Sequence, residues 1–538
     1  MNKKFYRMIA GGLGALMLLG LVACKPAEPQ RQEPSESTAG AGKLFEKPTE
    51  ISIVLSSHVS WPFNENWILW DYVEEATGAT LKLQAIPSND QDTKIALMMS
   101  SPETLPDLLH TWKKQTVDNY MWSGAYLSYD DHMDLMPNYQ KFWASIPKAE
   151  RKELFAQRTS GDGKIYSAPS YGTQTVNNLR TWMYRKDILD KHGLAVPSTS
   201  TELYETAKKL KQLYPESYPI CFRTGLSKIT EWGPSWQKDF TQYSYYDYGD
   251  QTWKFGAREP AMRTIVEYFL KLKNEELVPP NYITMETKSW EELMSTDRGF
   301  FTLDYIVRID FFNLANRQDN PDYTLALMAP PKPDISGGRQ KLFKGNLDFY
   351  GYCVCNTGKE DRIENAFRFV DWMYTDEATE LLSWGKEGET YEVVDGRKQF
   401  ILEGDEQPQN KYGIATYGLY QRILTEANEA TYTLEQVEAC HEVLQYLEPN
   451  SLPTQWLPLT EDEASEANAI ISEVNNYTDE QLSKFLLGQT PMSEWDTFQK
   501  GLADSQIDRL LEIYDQAYKR VIAQRSEERR VGKECRSR

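Results

Sequence analysis

Apolar residues along the chain alternate between two periods, one of a strand and one of a helix. Glu50-Ile-Ser-Ile-Val-Leu55 reads as a short strand, a helical stretch ending at Thr77-Gly78-Ala79-Thr80 follows, and Leu81–Ile86 reads as a second strand. That β-α-β order predicts an α/β domain. Further on, Leu203, Ala207, Leu210 and Tyr214 fall on one helical face, with Thr199 placed to cap the helix and Glu202 three residues later. Ile363, Ala366, Phe367, Val370, Met373 and Tyr374 make another stripe. So do Ile507, Leu510, Leu511, Tyr514, Ala517, Tyr518 and Val521 within Phe498–Val521. The run Gly351-Tyr-Cys-Val-Cys355 is of the other kind, and as a strand it places Cys353 and Cys355 on one face.

The N-terminus departs from both patterns. An uncharged run from Met8 to Ala23 follows Lys3, Lys4 and Arg7 and carries Gly11, Gly12, Gly14 and Gly20. A membrane-spanning helix needs roughly 20 apolar residues, so this shorter run reads as a secretory signal over residues 1–23. Leu21-Val22-Ala23-Cys24 resembles the bacterial lipobox, which makes Cys24 the expected site of lipidation and the mature N-terminus. Two or more acyl chains anchor stably where one does not. Residues 24–48 hold Pro26, Pro29, Pro34 and Pro48 among Glu, Gln, Ser and Gly, and read as a tether. At the other end, residues 525–538 are basic and lack an apolar stripe, and they read as a segment foreign to the native chain.

A chain of 538 residues exceeds one ordinary core, so two or more domains are expected. The formal charge is −20, and removing Lys3, Lys4 and Arg7 with the signal takes it to −23. Such a surface repels phosphate backbones and anionic headgroups, which argues against nucleic acid. Fifteen Trp and 32 Tyr supply amphipathic rings suited to neutral polar ligands. Cys221, Cys353, Cys355 and Cys440 read first as small buried hydrophobes, with disulfide pairing as the alternative.

Several segments in order resemble the extracellular solute-binding proteins of family 1, in the LipO-like and alginate-binding-protein-like subgroup. They are Asp90–Trp112 with its Pro106-Asp107, Gly161–Ser170, Arg180–Pro215, Glu267–Thr284, Ile363–Gly396 and Phe498–Val521. The most specific are Trp384-Gly-Lys-Glu-Gly-Glu-Thr-Tyr391 and Ile513-Tyr-Asp-Gln-Ala-Tyr-Lys519. The resemblance implies a periplasmic binding protein-like II fold: two α/β lobes built from discontinuous segments, joined by hinge crossovers, with extra C-terminal helices. The expected division is 49–165 with 300–385 in lobe 1, and 166–299 with 386–524 in lobe 2. It also implies a lipid-anchored receptor on the outer face of a Gram-positive-like cell membrane, holding a carbohydrate for the permease subunits of an ABC importer. The chain is expected to be monomeric, to touch the membrane through its anchor alone and to need no cofactor.

Sugars bind on aromatic platforms flanked by hydrogen-bonding side chains. On position and residue type the candidates are Trp61, Trp112, Tyr171, Trp232, Trp236, Tyr305 and Arg308; the family segment adds Trp384 and Glu387, the latter also able to accept N–H groups of its own glycine-rich loop. Some members carry a calcium loop after the helix that here ends near Tyr214. This chain reads Pro215-Glu-Ser-Tyr-Pro-Ile220 there, with one carboxylate, so no metal is expected at that place. His58, His110, His132, His192 and His441 form no HExxH pair, and GxSxG and Walker motifs are absent from the sequence. The chain is therefore expected to be a receptor and not an enzyme. A surface glycoside hydrolase or lyase, or a sensory binding protein for a membrane kinase, remains the alternative.

Overall fold

The computed structural model describes residues 43–534 apart from 58–61, 88–89, 112, 172–178, 224, 344–350, 405, 415–418, 420 and 449–456; side chains are described as far as 520, except 149–150, 152–153, 156 and 229. The expected signal, Cys24 and the tether to residue 42 lie outside these residues. No helix among the described residues is long and apolar enough to cross a membrane.

Residues Lys43–Arg538 form one compact unit whose described residues hold two larger sheets and two two-stranded ones. The strands used below are β1 (Thr49–Ser57), β2 (Ala79–Pro87), β3 (Leu108–Thr111), β4 (Tyr126–Leu127), β5 (Arg180–Arg185), β6 (Phe301–Tyr305), β7 (Leu325–Met328) and β8 (Gly351–Cys355). The first sheet has the order β2-β1-β3-β8-β4, with β1 parallel to β2 and β3, and β8 antiparallel to β3 and β4. The second is antiparallel, order β6-β5-β7.

Each larger sheet organises its own core. Along β1, Ile51, Ile53 and Leu55 enter one apolar cluster while Val54 enters the cluster on the opposite face. β8 splits the same way: Tyr352 and Val354 go to the first, Cys353 and Cys355 to the second, the shared face that the period of two demands. The helix α1 (Ile68–Thr77) covers the first sheet, packing Leu69, Trp70 and Val73 into that cluster, and ends at Gly78 with φ 74°. A side chain at Gly78 would stand 2.7 Å from the Phe45 carbonyl oxygen, so glycine serves both the left-handed turn and the close approach. The second core gathers β5, β6 and β7 with residues 439–517.

The sheets correct the expected lobe boundaries. β6 and β7 pair with β5, so residues 301–328 belong to the second body, whereas Tyr412, Ile414, Leu419 and Ile423 pack in the first. The chain thus passes between bodies three times: between Tyr171 and Leu179, between Leu342 and Gly351, and after Ile423. Two of the crossings are tied, since Tyr171 donates its N–H to the Gln421 carbonyl at 2.7 Å and accepts from the Ile423 N–H at 2.9 Å.

Local rules hold in the helices that flank the candidate binding regions. These are α2 (Lys114–Met121), α3 (Ser200–Leu213), α4 (Ser227–Trp236), α5 (Glu360–Trp372), α6 (Glu461–Leu486) and α7 (Ile507–Glu534). Thr199 caps α3 as expected, its hydroxyl accepting from the Glu202 N–H at 3.1 Å. α5 buries Ala366, Phe367 and Val370. The closing helical segment is broken: Trp495–Ala503 and α7 are separate helices, and the backbone of α7 runs to Glu534, into the segment read as foreign. At the head of α6, Thr460 and Glu463 form a reciprocal capping box, with Arg520 of α7 paired to the same Glu463. Thr460→Ala is expected to lower stability by about 1 kcal/mol in urea titration, with the slope of the transition unchanged. All four described cysteines, Cys221, Cys353, Cys355 and Cys440, are buried free thiols; burial pushes the Cys440 thiol up to about 11.

Candidate functional site

Two regions bring polar side chains from both bodies, or from a sheet edge, to a place a solute can reach. The first is the end of the second sheet where Arg180 of β5 pairs with Tyr305 of β6. The Tyr305 ring lies half-buried with the Arg180 guanidinium 4.6 Å from its centre and that of Arg223 5.7 Å away, and Arg180 Nη2 donates to its hydroxyl at 3.2 Å. Behind it, Arg223 grips Asp304 with two hydrogen bonds of 2.9 Å. Lys228 and Arg308 each stand 3.8 Å from the same carboxylate, Glu231 bridges Lys228 and Arg180, and Arg308 pairs with Glu291 at 3.0 Å. Burial alone would push the Asp304 carboxyl up; Lys228, Arg223 and Arg180 outweigh it and hold it at about 2. The outcome is a stiff cationic support under one accessible aromatic ring.

The second region is a cavity of about 420 Å³, within the size range of small-molecule sites. The first body contributes Gln115, Asp118 and Asn119 of α2, the helix that follows β3. Opposite stand Ser227 and Thr230 of α4, Gln242 and Tyr243, and Asn468, Asn475 and Asp479 of α6. Leu226, Leu457, Leu459 and Tyr514 supply apolar surface. Its position fits the general preference of α/β sheets for ligands beyond the carboxyl ends of parallel strands. Asp118 is held by the buried Lys114 and by the Ser160 hydroxyl at 2.6 Å, and Asp479 by the Tyr243 hydroxyl at 2.6 Å. The bodies touch along its rim: Gln115 Nε2 donates to Asn468 Oδ1 at 2.9 Å, and Gly161 abuts the Leu459 carbonyl.

A model of the bacterial extracellular solute-binding protein family matches residues 69–385, more than half of the sequence. The chain belongs to that family. Among curated proteins it is similar to lipoprotein LipO of Bacillus subtilis (strain 168), 23% identical over 343 residues, a match covering 60% of this chain and 64% of that relative's length. Among solved structures, this solute-binding protein is similar to the alginate-binding protein AlgQ2 without calcium ion, with a TM-score of 0.73, 20% identity and 89% and 99% of the two chains covered. It is also similar to the S. pneumoniae ABC-transporter substrate binding protein FusA in complex with kestose, with a TM-score of 0.69, 16% identity and coverage of 88% and 100%. At these identities the likeness is one of fold: two α/β lobes of the periplasmic binding protein kind.

Within that fold the expected binding residues separate. Trp61 and Trp112 lie outside the described residues. Tyr171 sits at a crossing between bodies, half-buried and edge-on to Phe142 at 5.5 Å. Tyr305 offers an accessible ring, but Arg308 is 4% exposed and consumed by the ion network. Trp232 and Trp236 are each 5% exposed: α4 turns them inward, Trp232 onto Trp182 at 4.6 Å and Phe269 at 4.7 Å, Trp236 onto Tyr268 at 5.7 Å. They pack the second core. Trp384 is 2% exposed against Phe400 and Tyr391, and Glu387 is exposed in the turn that follows.

The Trp384–Tyr391 segment is organised by Thr390 instead of Glu387. The Thr390 hydroxyl accepts from the Lys386 N–H at 2.9 Å and donates to the Trp384 carbonyl at 2.6 Å. A Cβ on Gly385 (φ 81°) would strike that hydroxyl at 2.2 Å. Lys386 then lies 4.6 Å over the Tyr72 ring of α1, and the Tyr72 hydroxyl donates to Glu389 at 2.9 Å. The motif therefore clamps a hairpin onto α1. None of the seven expected residues that are described lines the 420 Å³ cavity. Its α6 wall was visible as spacing, because Asn468, Asn475 and Asp479 recur at seven and four residues on one helical face. Polar stripes of that kind ordinarily face solvent, and here the stripe lines the cavity, with Asn468 meeting Gln115 of α2 and Asp479 meeting Tyr243.

Proposed function

We propose that this protein is the substrate-binding lipoprotein of an ABC importer, which captures an oligosaccharide between its two bodies and presents it to a membrane permease without altering it. The reading is supported chiefly by a cavity whose polar walls come from α2 on one side and from α4 and α6 on the other. A ligand that touches both walls favours the arrangement in which they face each other, because only there are all its contacts made. Amides, hydroxyls and carboxylates around a few apolar side chains suit a polyhydroxylated solute, which presents many hydrogen-bonding groups and small apolar C–H faces. Family membership supports capture in place of catalysis, and the fold shared with FusA in complex with kestose supports a carbohydrate. Cys24 would tie the chain to the outer face of the membrane, beside the permease.

A panel of short glycans and peptides read by thermal shift tests this. A ligand at about a hundred times its dissociation constant stabilises the native state by about 2.7 kcal/mol. Oligosaccharides are expected to raise the melting temperature and to be recovered intact after incubation. Stabilisation by peptides alone would overturn the carbohydrate, and cleavage of the glycan would overturn the receptor.

A further inference from the structure

The cavity between α2 and α6 is lined by no Lys, Arg or His side chain among the described residues. Its charged groups are two carboxylates, Asp118 and Asp479. Lys114, which neutralises Asp118, is itself fully buried and does not reach the lining. An acceptor-bearing ligand finds one donor waiting: the Gln242 side-chain nitrogen is buried without a hydrogen-bond partner. Carboxylate oxygens accept hydrogen bonds and cannot donate them, so a guest group beside Asp118 or Asp479 must bring its own O–H or N–H. An anionic guest would lose hydration and at the same time meet the carboxylate of Asp479, which no cation pairs among the described residues.

We propose that this cavity is a subsite selective for uncharged glycosyl units: hydroxyls donate to Asp118 and Asp479, Gln242 donates to a ring or hydroxyl oxygen, and uronate or sulfated units are excluded. The inference rests on the oligosaccharide reading and names the charge class of the sugar. The protein's cationic groups near Tyr305 do not contradict it, because Glu231, Asp304 and Glu291 already engage them. Fixed carboxylates thus act by rejecting the wrong guest as well as by holding the right one.

The test titrates the full chain by calorimetry with two ladders of short glycans, one neutral (malto-, xylo- and fructo-oligosaccharides) and one of oligogalacturonates. The best neutral glycan is expected to bind at least about tenfold more tightly than the best uronate, the size of effect that like charges produce in a part-buried site. Asp479→Asn, which keeps an acceptor for the Tyr243 hydroxyl, is expected to narrow that ratio severalfold. Ala464→Trp, which fills the cavity from α6, is expected to weaken neutral binding by more than about tenfold with the melting temperature of the free protein retained. Uronates binding as tightly as neutral glycans would overturn the selection while leaving the oligosaccharide reading intact. An unchanged ratio in Asp479→Asn, or a folded Ala464→Trp that binds like the wild type, would overturn the subsite. Failure of both ladders where peptides bind would overturn the oligosaccharide reading, and this one with it.

Discussion

Asp304→Asn is expected to destabilise the second body by about 3–5 kcal/mol, read as a lower urea midpoint at neutral pH. The carboxylate is 1% exposed and faces three cations, Arg223 at 2.9 Å and Lys228 and Arg308 at 3.8 Å. Removing its charge leaves those cations buried with Glu231 and Glu291 alone, and the desolvation already incurred is no longer offset. The amide oxygen of the variant can still accept the Tyr305 N–H that Asp304 Oδ1 accepts at 2.8 Å, so the loss is one of charge and of the paired hydrogen bonds to Arg223. The pH dependence follows from the same pairing. Held at about 2 in the folded protein against roughly 3.9 in the unfolded chain, Asp304 contributes stability that is fully present above about pH 4 and is lost as pH falls through 2. The variant should therefore lack that part of the acid transition. Combining it with Lys228→Met should recover some of the loss, since a buried ammonium is removed along with its partner. Additive losses would show that the network is not coupled as its distances indicate.

Such a network was hardly legible in the sequence, where Arg180, Arg223, Lys228, Glu231, Asp304 and Arg308 are scattered over more than a hundred positions. What could be read was local. The β1-α1-β2 unit, the Thr199 cap, the α5 stripe and the common face of Cys353 and Cys355 follow from periods and caps that depend only on near neighbours. Lobe assignment did not follow, because β6 carries a pattern of buried residues that fits either sheet; only its antiparallel pairing with β5 decides. Two of the aromatic candidates misled for a related reason. Trp232 and Trp236 stand among Thr, Glu, Ser and Gln, a composition that suits a sugar platform, but four residues apart on α4 they share the face that meets Trp182 and Tyr268. In the cavity, the opposite error hid Asn475 and Asp479: a polar stripe looks solvated until another body is laid against it.

Gly161→Val should abolish most ligand binding while leaving each core intact. Gly161 lies in the turn that the first body holds through the Thr159–Ile165 bridge and the Ser160–Asp118 hydrogen bond. Leu459 packs against the second core. A Cβ at Gly161 would lie 1.8 Å from the Leu459 carbonyl oxygen and 3.0 Å from the Trp122 ring, and the first obstacle is backbone, which no rotamer change relieves. The overlap can be removed by moving the two bodies apart along the rim that Gln115 and Asn468 also bridge. If overpacking of that kind costs the facing arrangement about 1–3 kcal/mol, the competent fraction falls and apparent affinity drops by up to about five- to 150-fold. Calorimetry with the best glycan of the panel measures the loss, and small-angle scattering measures its cause: the ligand-free variant should be more extended than the wild type and should contract only at the higher ligand concentrations its weaker affinity requires. A stability loss without any change in scattering would mean that the turn deforms instead, and would remove the rim as the place where the bodies must meet.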